Sequence, residues 1–420
     1  MGENVLPELL SVESAVTRIL ESFRPLPVEH VDLVESLGRV LGADVRASFD
    51  APPFANSSMD GFAVIAQDTR GAEQQQPARL RVVADIPAGT MPTRALLAGE
   101  AARIMTGAPL PEGANAVVPV EQTDQNWRSG ENHPPSAYVS IYQTVNPGAY
   151  VRPRGEDFFT GDTVLPALTP IRPQELGLLA ALGSQRVPVI RQPRVVILST
   201  GDELLDVDQP LAPGKIRDAN GYTLYGLVKT YGGLPIRLPI IRDTLADARA
   251  RFQAALALQP DIILSSAGVS VGAFDVVRAV VEELGAINFW RVNLRPGKPL
   301  AFGHVGGVPF FGLPGNPVSA MVTFDVFVRP ALLRLTEQLD AVPTITAMLE
   351  EDTPSDGRRS YLRVKLRRDG ATWVATMTGT QSSGALTSMV KADGIIIIPE
   401  GVTLARAGEP FAVRLLRDIH

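Results

Sequence analysis

Between residues 261 and 320 the chain alternates strand and helix signals around three glycine-rich loops, and no other stretch limits the fold as tightly. The apolar run 261–266 leads through Ala267-Gly-Val-Ser-Val-Gly-Ala-Phe-Asp275 into Val276, Val277, Val280, Val281 and Leu284, which recur at helical spacing. A second loop, Leu294-Arg-Pro-Gly-Lys-Pro299, holds Arg295 and Lys298 in a turn stiffened by two prolines. The third, Gly312-Leu-Pro-Gly-Asn-Pro317, follows a strand signal at 308–311 and precedes a helix predicted over 318–327. Upstream the pattern reads strand 194–199, turn Gly201-Asp-Glu203, helix 221–231, strand 234–241 and helix 246–257. Strands alternating with helices predict a doubly wound α/β domain whose parallel sheet is covered on both faces. Ligands on such sheets sit beyond the carboxyl ends of the strands. There residues 201–203, Asp275 and 312–317 would converge on one crevice.

The loops suit an anion. Gly268 and Gly272 let the backbone approach a ligand, Ser266 and Ser270 add hydroxyls, and the helix start offers unpaired N–H groups with partial positive charge. Asp275 is the only carboxylate in the first loop and would repel a bare anion, so a bridging metal ion is implied. One glycine loop alone is more often only a tight turn; three in so short a stretch point to phosphate or another oxyanion. Two nucleotide signatures are absent, since no G-x-G-x-x-G follows a strand and neither Gly214-Lys215 nor Gly297-Lys298 is followed by Ser or Thr. Gly268-Val-Ser-Val-Gly272 does fit the nucleophile elbow of α/β hydrolases. A serine hydrolase using Ser270 would need a later acid and a later His, and only His304 and the final His420 follow.

At 420 residues the chain has room for about three domains. A net charge of −6 with no polybasic run argues against nucleic acid as a partner and against an electrostatic membrane anchor. No signal-like N-terminus and no membrane-spanning apolar run is read, so a cytoplasmic protein is expected. Without cysteine there are no disulfides, thiolate metal sites or cysteine nucleophiles, and four scattered histidines disfavour a histidine site. A metal would therefore sit on oxygen ligands, which favours magnesium.

Elsewhere Ser11 caps a predicted helix with Val12, Ala15, Val16, Ile19, Leu20 and Phe23 on one face, and a second helix is predicted over 32–41, stopping at Gly42. From Ala47 short β-like runs between Pro/Gly-rich turns read as a small β domain inserted in another. A helix runs from Pro173 to about Gly183. After Val342 the pattern is again β: 361–366 and 372–377 flank an Arg-Asp-Gly turn, and 394–399 looks like a buried strand.

Seven motifs occur in an order that resembles the molybdopterin molybdenumtransferases, the MoeA family, which includes the E domain of gephyrin. They are Ser58-Met-Asp-Gly61, Arg103-Ile-Met-Thr-Gly-Ala-Pro109, Gly155-Glu-Asp157, Ser199-Thr-Gly-Asp-Glu-Leu204, Gly268-Val-Ser-Val-Gly272, Pro296-Gly-Lys-Pro299 and Gly312-Leu-Pro-Gly-Asn-Pro317. The resemblance spans essentially the whole chain. It implies a homodimer of four-domain chains: a split linker and dimerisation domain (1–46 and 147–190), an inserted β domain (47–146), an α/β nucleotide- and pterin-binding domain like that of molybdopterin adenylyltransferases (191–338), and a C-terminal β-barrel-like domain (339–420). It further implies magnesium-dependent insertion of molybdate into adenylylated molybdopterin with release of AMP, and transient contact with molybdopterin adenylyltransferase and apo-molybdoenzymes. A non-catalytic scaffold on the same fold is the rival expectation.

Site roles follow from the same resemblance. Glu203 and Asp275 match metal-binding carboxylates; Asp60, Thr106, Asp157 and Asp243 match functional polar positions. Arg295, Lys298, Arg363 and Ser383 resemble a molybdate pocket, where cations and a hydroxyl suit a tetrahedral dianion. Gly268, Ser270, Gly272, Pro314, Gly315, Asn316 and Pro317 would shape the nucleotide and pterin loops. Plainer roles stand beside these. Asp60 would close a turn, Glu203 would complement a helix dipole, Asp243 would cap the helix at 246, and Arg363 would lie on a solvated strand face. Ala55 and Ala273 depart from the family pattern, in which an acid is usual at each position.

Overall fold

The structure is a computed structural model that describes residues 9–125, 136–266, 274–340 and 342–419, with the side chains of 274, 275 and 289 outside the description. The chain forms two units, one of Met1–Gly42, Leu168–Gly177 and Ser184–His420, the other of Ala43–Ala167 and Leu178–Gly183.

In the first unit a six-stranded sheet has the order Leu234–Arg237, Arg194–Ser199, Ile262–Ser266, Val308–Leu313, Pro299–Val305, Gly285–Arg291. Side chains alternate across a strand, and the two faces divide accordingly. Val195, Ile197, Ile262 and Leu264 join a core with Leu224 and Val228 of helix Ala219–Thr230 and with Val12, Ala15 and Ile19 of helix Val12–Leu20. Val196, Leu198 and Ile263 face Ala248 and Phe252 of helix Leu245–Ala257 and Val277, Val280 and Val281 of helix Phe274–Leu284. Each such buried aliphatic side chain stabilises by about 1.5–3 kcal/mol, so a one-residue slip of a central strand would be costly.

The sheet is mixed rather than purely parallel. The first four strands run parallel, whereas Pro299–Val305 is antiparallel to both its neighbours. The reason is local: the two-residue turn Gly306-Gly307, with φ of 55° and 81°, leaves no length for a crossover helix and forces a hairpin.

The helix expected over 32–41 does not form. Residues Val28–Asp32 pair as a strand with Arg186–Ile190, and only a single 3₁₀ turn, Leu33–Ser36, follows. Gly38 at φ 76° cannot continue a right-handed helix, and Val34 and Leu37 of the supposed apolar face are exposed. Conversely, the helix beginning at Pro317 extends beyond 327, through a π turn at Phe324–Val328 into Arg329–Leu335.

The C-terminal strands close into a five-stranded barrel: Arg359–Asp369, Thr372–Met377, Thr344–Leu349, Pro410–Leu415 and Gly394–Ile398, which returns to Arg359–Asp369. Ala347, Leu362, Val364, Ile396 and Val413 fill it. Barrel and α/β sheet are tied together within this unit at several points. Leu294 and Arg295 pair in parallel with Arg359 and Ser360. Arg414 meets Asp325, which also lies 3.0 Å from Nε of Arg329. Burial pushes the Asp325 carboxyl up even though both guanidinium groups face it.

The second unit contains a five-stranded sheet, Ala116–Pro119, Gly61–Val64, Glu100–Ile104, Ala78–Ile86 and Tyr138–Ile141, with apolar side chains on both faces. Among the described residues no helix is long and apolar enough to cross a membrane.

Candidate functional site

Leu294–Arg295 beside Arg359–Ser360 sets the cationic loop 295–299 against the barrel strand that carries Arg363. Between them, and under the loop before helix Pro317–Thr323, lies a cavity of about 330 Å³. Arg295, Lys298, Arg358 and Arg363 line it together with Gly315, Asn316, Gln381 and Ser383, and among the described residues no carboxylate belongs to the lining. Gly297 reaches this turn at φ 113°, and a methyl group there would lie 2.5 Å from Cγ2 of Thr323. The backbone can thus lie close against the neighbouring helix only without a side chain.

Arg363 is fully buried. Its Nε donates to Oγ of Ser388 at 3.1 Å and its Nη2 to the carbonyl of Ser382 at 3.0 Å, while Nη1 has no partner. Burial, followed by the nearby Arg295 cation, pulls the guanidinium down to about 10, so it remains charged at neutral pH. A buried guanidinium facing other cations, with one nitrogen unsatisfied, is a strong anion receptor. It is not the solvated strand residue its alternating pattern also allowed. Arg358 is steadied by Asp356, Nε to Oδ2 3.0 Å, and donates through Nη1 to the carbonyl of Leu294 at 3.2 Å.

A second group sits beyond the carboxyl end of Arg194–Ser199. The Asp202 N–H donates to Oδ2 of Asp243 at 3.4 Å, and the Asp243 N–H donates to Oδ1 of Asp202 at 3.2 Å. Glu203 folds back over Gly201, where a methyl group would meet its carboxylate oxygen at 2.4 Å. Oδ1 of Asp243 is buried without a partner. Neither plainer role applies, because Thr244 rather than Asp243 caps helix Leu245–Ala257 and Glu203 precedes the short strand Leu204–Leu205 rather than a helix. Among the described residues no three acidic or imidazole groups come close enough to hold a metal. The backbone of Asp275 lies in the first turn of helix Phe274–Leu284, and its side chain lies outside the description. Gly268, Ser270 and Gly272 lie outside the described residues.

In the second unit Oδ1 of Asp60 accepts from both the N–H and the hydroxyl of Thr106, each at 2.7 Å, which binds two candidates into one pair. Asp157 is exposed, its N–H donating to the carbonyl of Ala51 at 2.9 Å.

Three family models cover the chain: the MoeA N-terminal region, domains I and II, at residues 10–183; a probable molybdopterin-binding domain at 196–334; and the MoeA C-terminal region, domain IV, at 346–416. The chain belongs to the MoeA family. Among its MoeA relatives, the molybdopterin molybdenumtransferase of a Nostoc species is 38% identical over 92% of this chain and 88% of its own. Molybdopterin molybdenumtransferase 2 of Mycobacterium tuberculosis is 38% identical over 96% of this chain and 97% of its own. Two structures of the MoeA molybdopterin biosynthesis protein from Pyrococcus horikoshii are 33% and 29% identical, with TM-scores of 0.80 and 0.78. They cover 98% and 97% of this chain and 100% of each of theirs.

Membership in MoeA leaves little for the nucleophile-elbow match. His304 pairs with Pro309, the residue after the first of Val308–Leu313. It therefore stands at the end of the sheet where strand Ile262–Ser266 begins, opposite the end from which the chain proceeds to Ser270. Sequence reasoning missed Arg358, Gln381 and Asp202. Arg358 and Gln381 gave no periodic signal, since one precedes barrel strand Arg359–Asp369 and the other follows strand Thr372–Met377, whereas Asp202 lay in plain sight inside Gly201-Asp-Glu203.

Proposed function

We propose that this chain inserts molybdate into adenylylated molybdopterin and releases AMP, with the oxyanion seated among Arg295, Lys298, Arg358 and Arg363. Nη1 of Arg363 carries the proposal: a buried, charged donor without a partner, in a cavity whose lining, among the described residues, holds four cations and no carboxylate. A tetrahedral dianion fits it in charge and in its need for several donors at once. Lys298 supplies a movable ammonium and Ser383 a hydroxyl, while the guanidinium groups fix the orientation.

The carboxylates at the strand end serve the other half of the substrate. Glu203, Asp243 and Asp275 would hold magnesium, an oxygen-only donor set suited to a hard cation that keeps several of its waters. The unpartnered Oδ1 of Asp243 favours such a role. Bound magnesium would neutralise the pyrophosphate and polarise the phosphorus that loses its link to the pterin. Pro314 and Pro317 shape the nucleotide loop, and Gly268, Ser270 and Gly272 would approach the phosphates. For Asp60, Thr106 and Asp157 the family resemblance supports functional polar roles within the second unit. We further propose a cytoplasmic homodimer that meets a molybdopterin adenylyltransferase and apo-molybdoenzymes transiently, with light scattering at micromolar concentration as the check on the dimer.

Calorimetric titration with molybdate, followed by AMP release from adenylylated molybdopterin, tests the main proposal. Saturable molybdate binding that Arg363→Met weakens is the expected result. Absence of both binding and AMP release in the intact protein overturns it.

A further inference from the structure

Helix Ala219–Thr230 starts beside the strand-end crevice, and its cap leaves one polar side chain over. Asp218 caps it, Oδ1 accepting from the N–H of Gly221 at 2.8 Å. Asn220 in the first turn therefore has no capping duty. Its Nδ2 instead donates to the carbonyl of Gly315 at 2.8 Å, across ninety-five positions of sequence. Its Oδ1 is buried with no partner.

Gly315 lines the cation pocket, and the residue after it, Asn316, opens helix Pro317–Thr323 without making a side-chain cap bond. That helix is capped from elsewhere: the N–H of Val318 donates to the carbonyl of Ser383 at 3.0 Å. The neighbouring carbonyl, that of Ser382, takes Nη2 of Arg363. Three hydrogen bonds and the short stretches of backbone between them thus link the first turn of helix Ala219–Thr230, through the Gly315 loop, to the backbone that aims Arg363.

We propose that Asn220 is a positioning residue for the oxyanion pocket: it holds the Gly315 carbonyl and thereby sets the wall that faces Arg363 and Lys298. This rests on the functional reading above. An amide buried with half its capacity unmet is poor value for stability, which points to use rather than to structural support.

Asn220→Ala and Asn220→Asp test it, the second keeping the shape while placing an oxygen where the donor was. Neither should disturb the helix start, since Asp218 remains and an acid is favourable there. The concentration of molybdate for half-maximal turnover, and its dissociation constant measured with molybdate alone, should rise about three- to tenfold for the loss of one neutral hydrogen bond. The maximal rate at saturating molybdate should stay within about twofold, and the melting temperature should hold. Intact protein that binds molybdate, with both variants matching it, overturns this inference alone. Rate and melting temperature falling together at unchanged molybdate affinity make the residue structural and overturn it too. Intact protein that takes up no molybdate overturns the functional reading and this inference with it.

Discussion

Gln381 grips Arg363 by both sides of its peptide: Oε1 accepts from the Arg363 N–H at 2.9 Å and Nε2 donates to its carbonyl at 3.0 Å. Arg363 stands opposite Ile395 on one edge of its strand, and on the other the side chain reinforces a carbonyl that also accepts from the Thr378 N–H at 3.1 Å, so the guanidinium is held inward by a fixed backbone rather than by an opposing acid. Arg358 is paired with Asp356, but Arg363 is aimed into the pocket without an acid beside it.

Arg363→Met should therefore separate binding from stability. Molybdate affinity is expected to fall about 10- to 100-fold, as for losing hydrogen bonds to a charged group. The melting temperature in oxyanion-free buffer should hold or rise, because an incompletely satisfied buried charge gives way to an apolar side chain of similar length. Calorimetry and thermal melting of the same preparation read both quantities. A large fall in melting temperature would mean that the bonds to Ser388 and Ser382 matter more to the fold than the orphaned nitrogen costs it.

Gly297→Ala should destabilise the protein by about 2–4 kcal/mol, combining a strained positive φ with overlap against Thr323. Urea denaturation gives the value. Molybdate binding should weaken as well, since Lys298 is displaced with the turn.

Glu203→Gln and Asp243→Asn should each raise the magnesium needed for half-maximal AMP release, by about ten- to a hundredfold, while leaving molybdate binding unchanged. A magnesium titration at saturating molybdate tests this. Unaltered magnesium dependence in both variants removes these residues from the metal.

Acid should act on the second unit through Asp50. Bonds from the Thr160 hydroxyl and N–H, and then from Arg154, hold its carboxyl down at about 2 against an ordinary 3.8. A carboxylate depressed in the folded state contributes stability that is fully present above about pH 4 and is lost as pH falls towards 2. The stability gap between the intact protein and Asp50→Asn should be constant from pH 7 to about 4 and narrow below that. Urea melts across the range measure it, and a gap that widens in acid contradicts the assignment.

Much of this was legible in the chain. Strand 194–199 was bounded to the residue, because the apolar run Val195-Val-Ile-Leu198 sits between the breakers Pro193 and Gly201. The cap at Ser11 was legible because a hydroxyl preceding an amphipathic run has one common use. Segment 32–41 misled because Leu33, Val34, Leu37, Val40 and Leu41 mimic a helical stripe, and only the left-handed Gly38 betrays the turn. The anion pocket was half legible: Arg295 and Lys298 share a loop, but Arg358, Gln381 and the Asn220 bond to Gly315 arise from pairings between residues distant in sequence. Periodicity carries no trace of such pairings.

The parallel pairing of Leu294–Arg295 with Arg359–Ser360 has a bearing on how such a chain can be divided or recombined. Two of the pocket's cations come from the sheet's loop and two from the barrel strand, so neither module carries a working receptor by itself. A fragment ending near residue 340 would keep its nucleotide crevice yet present Arg295 and Lys298 to water as ordinary surface charges. Exchanging the barrel for another would therefore require redesigning the loop that meets it, since both sides of this small seam contribute cations to one cavity.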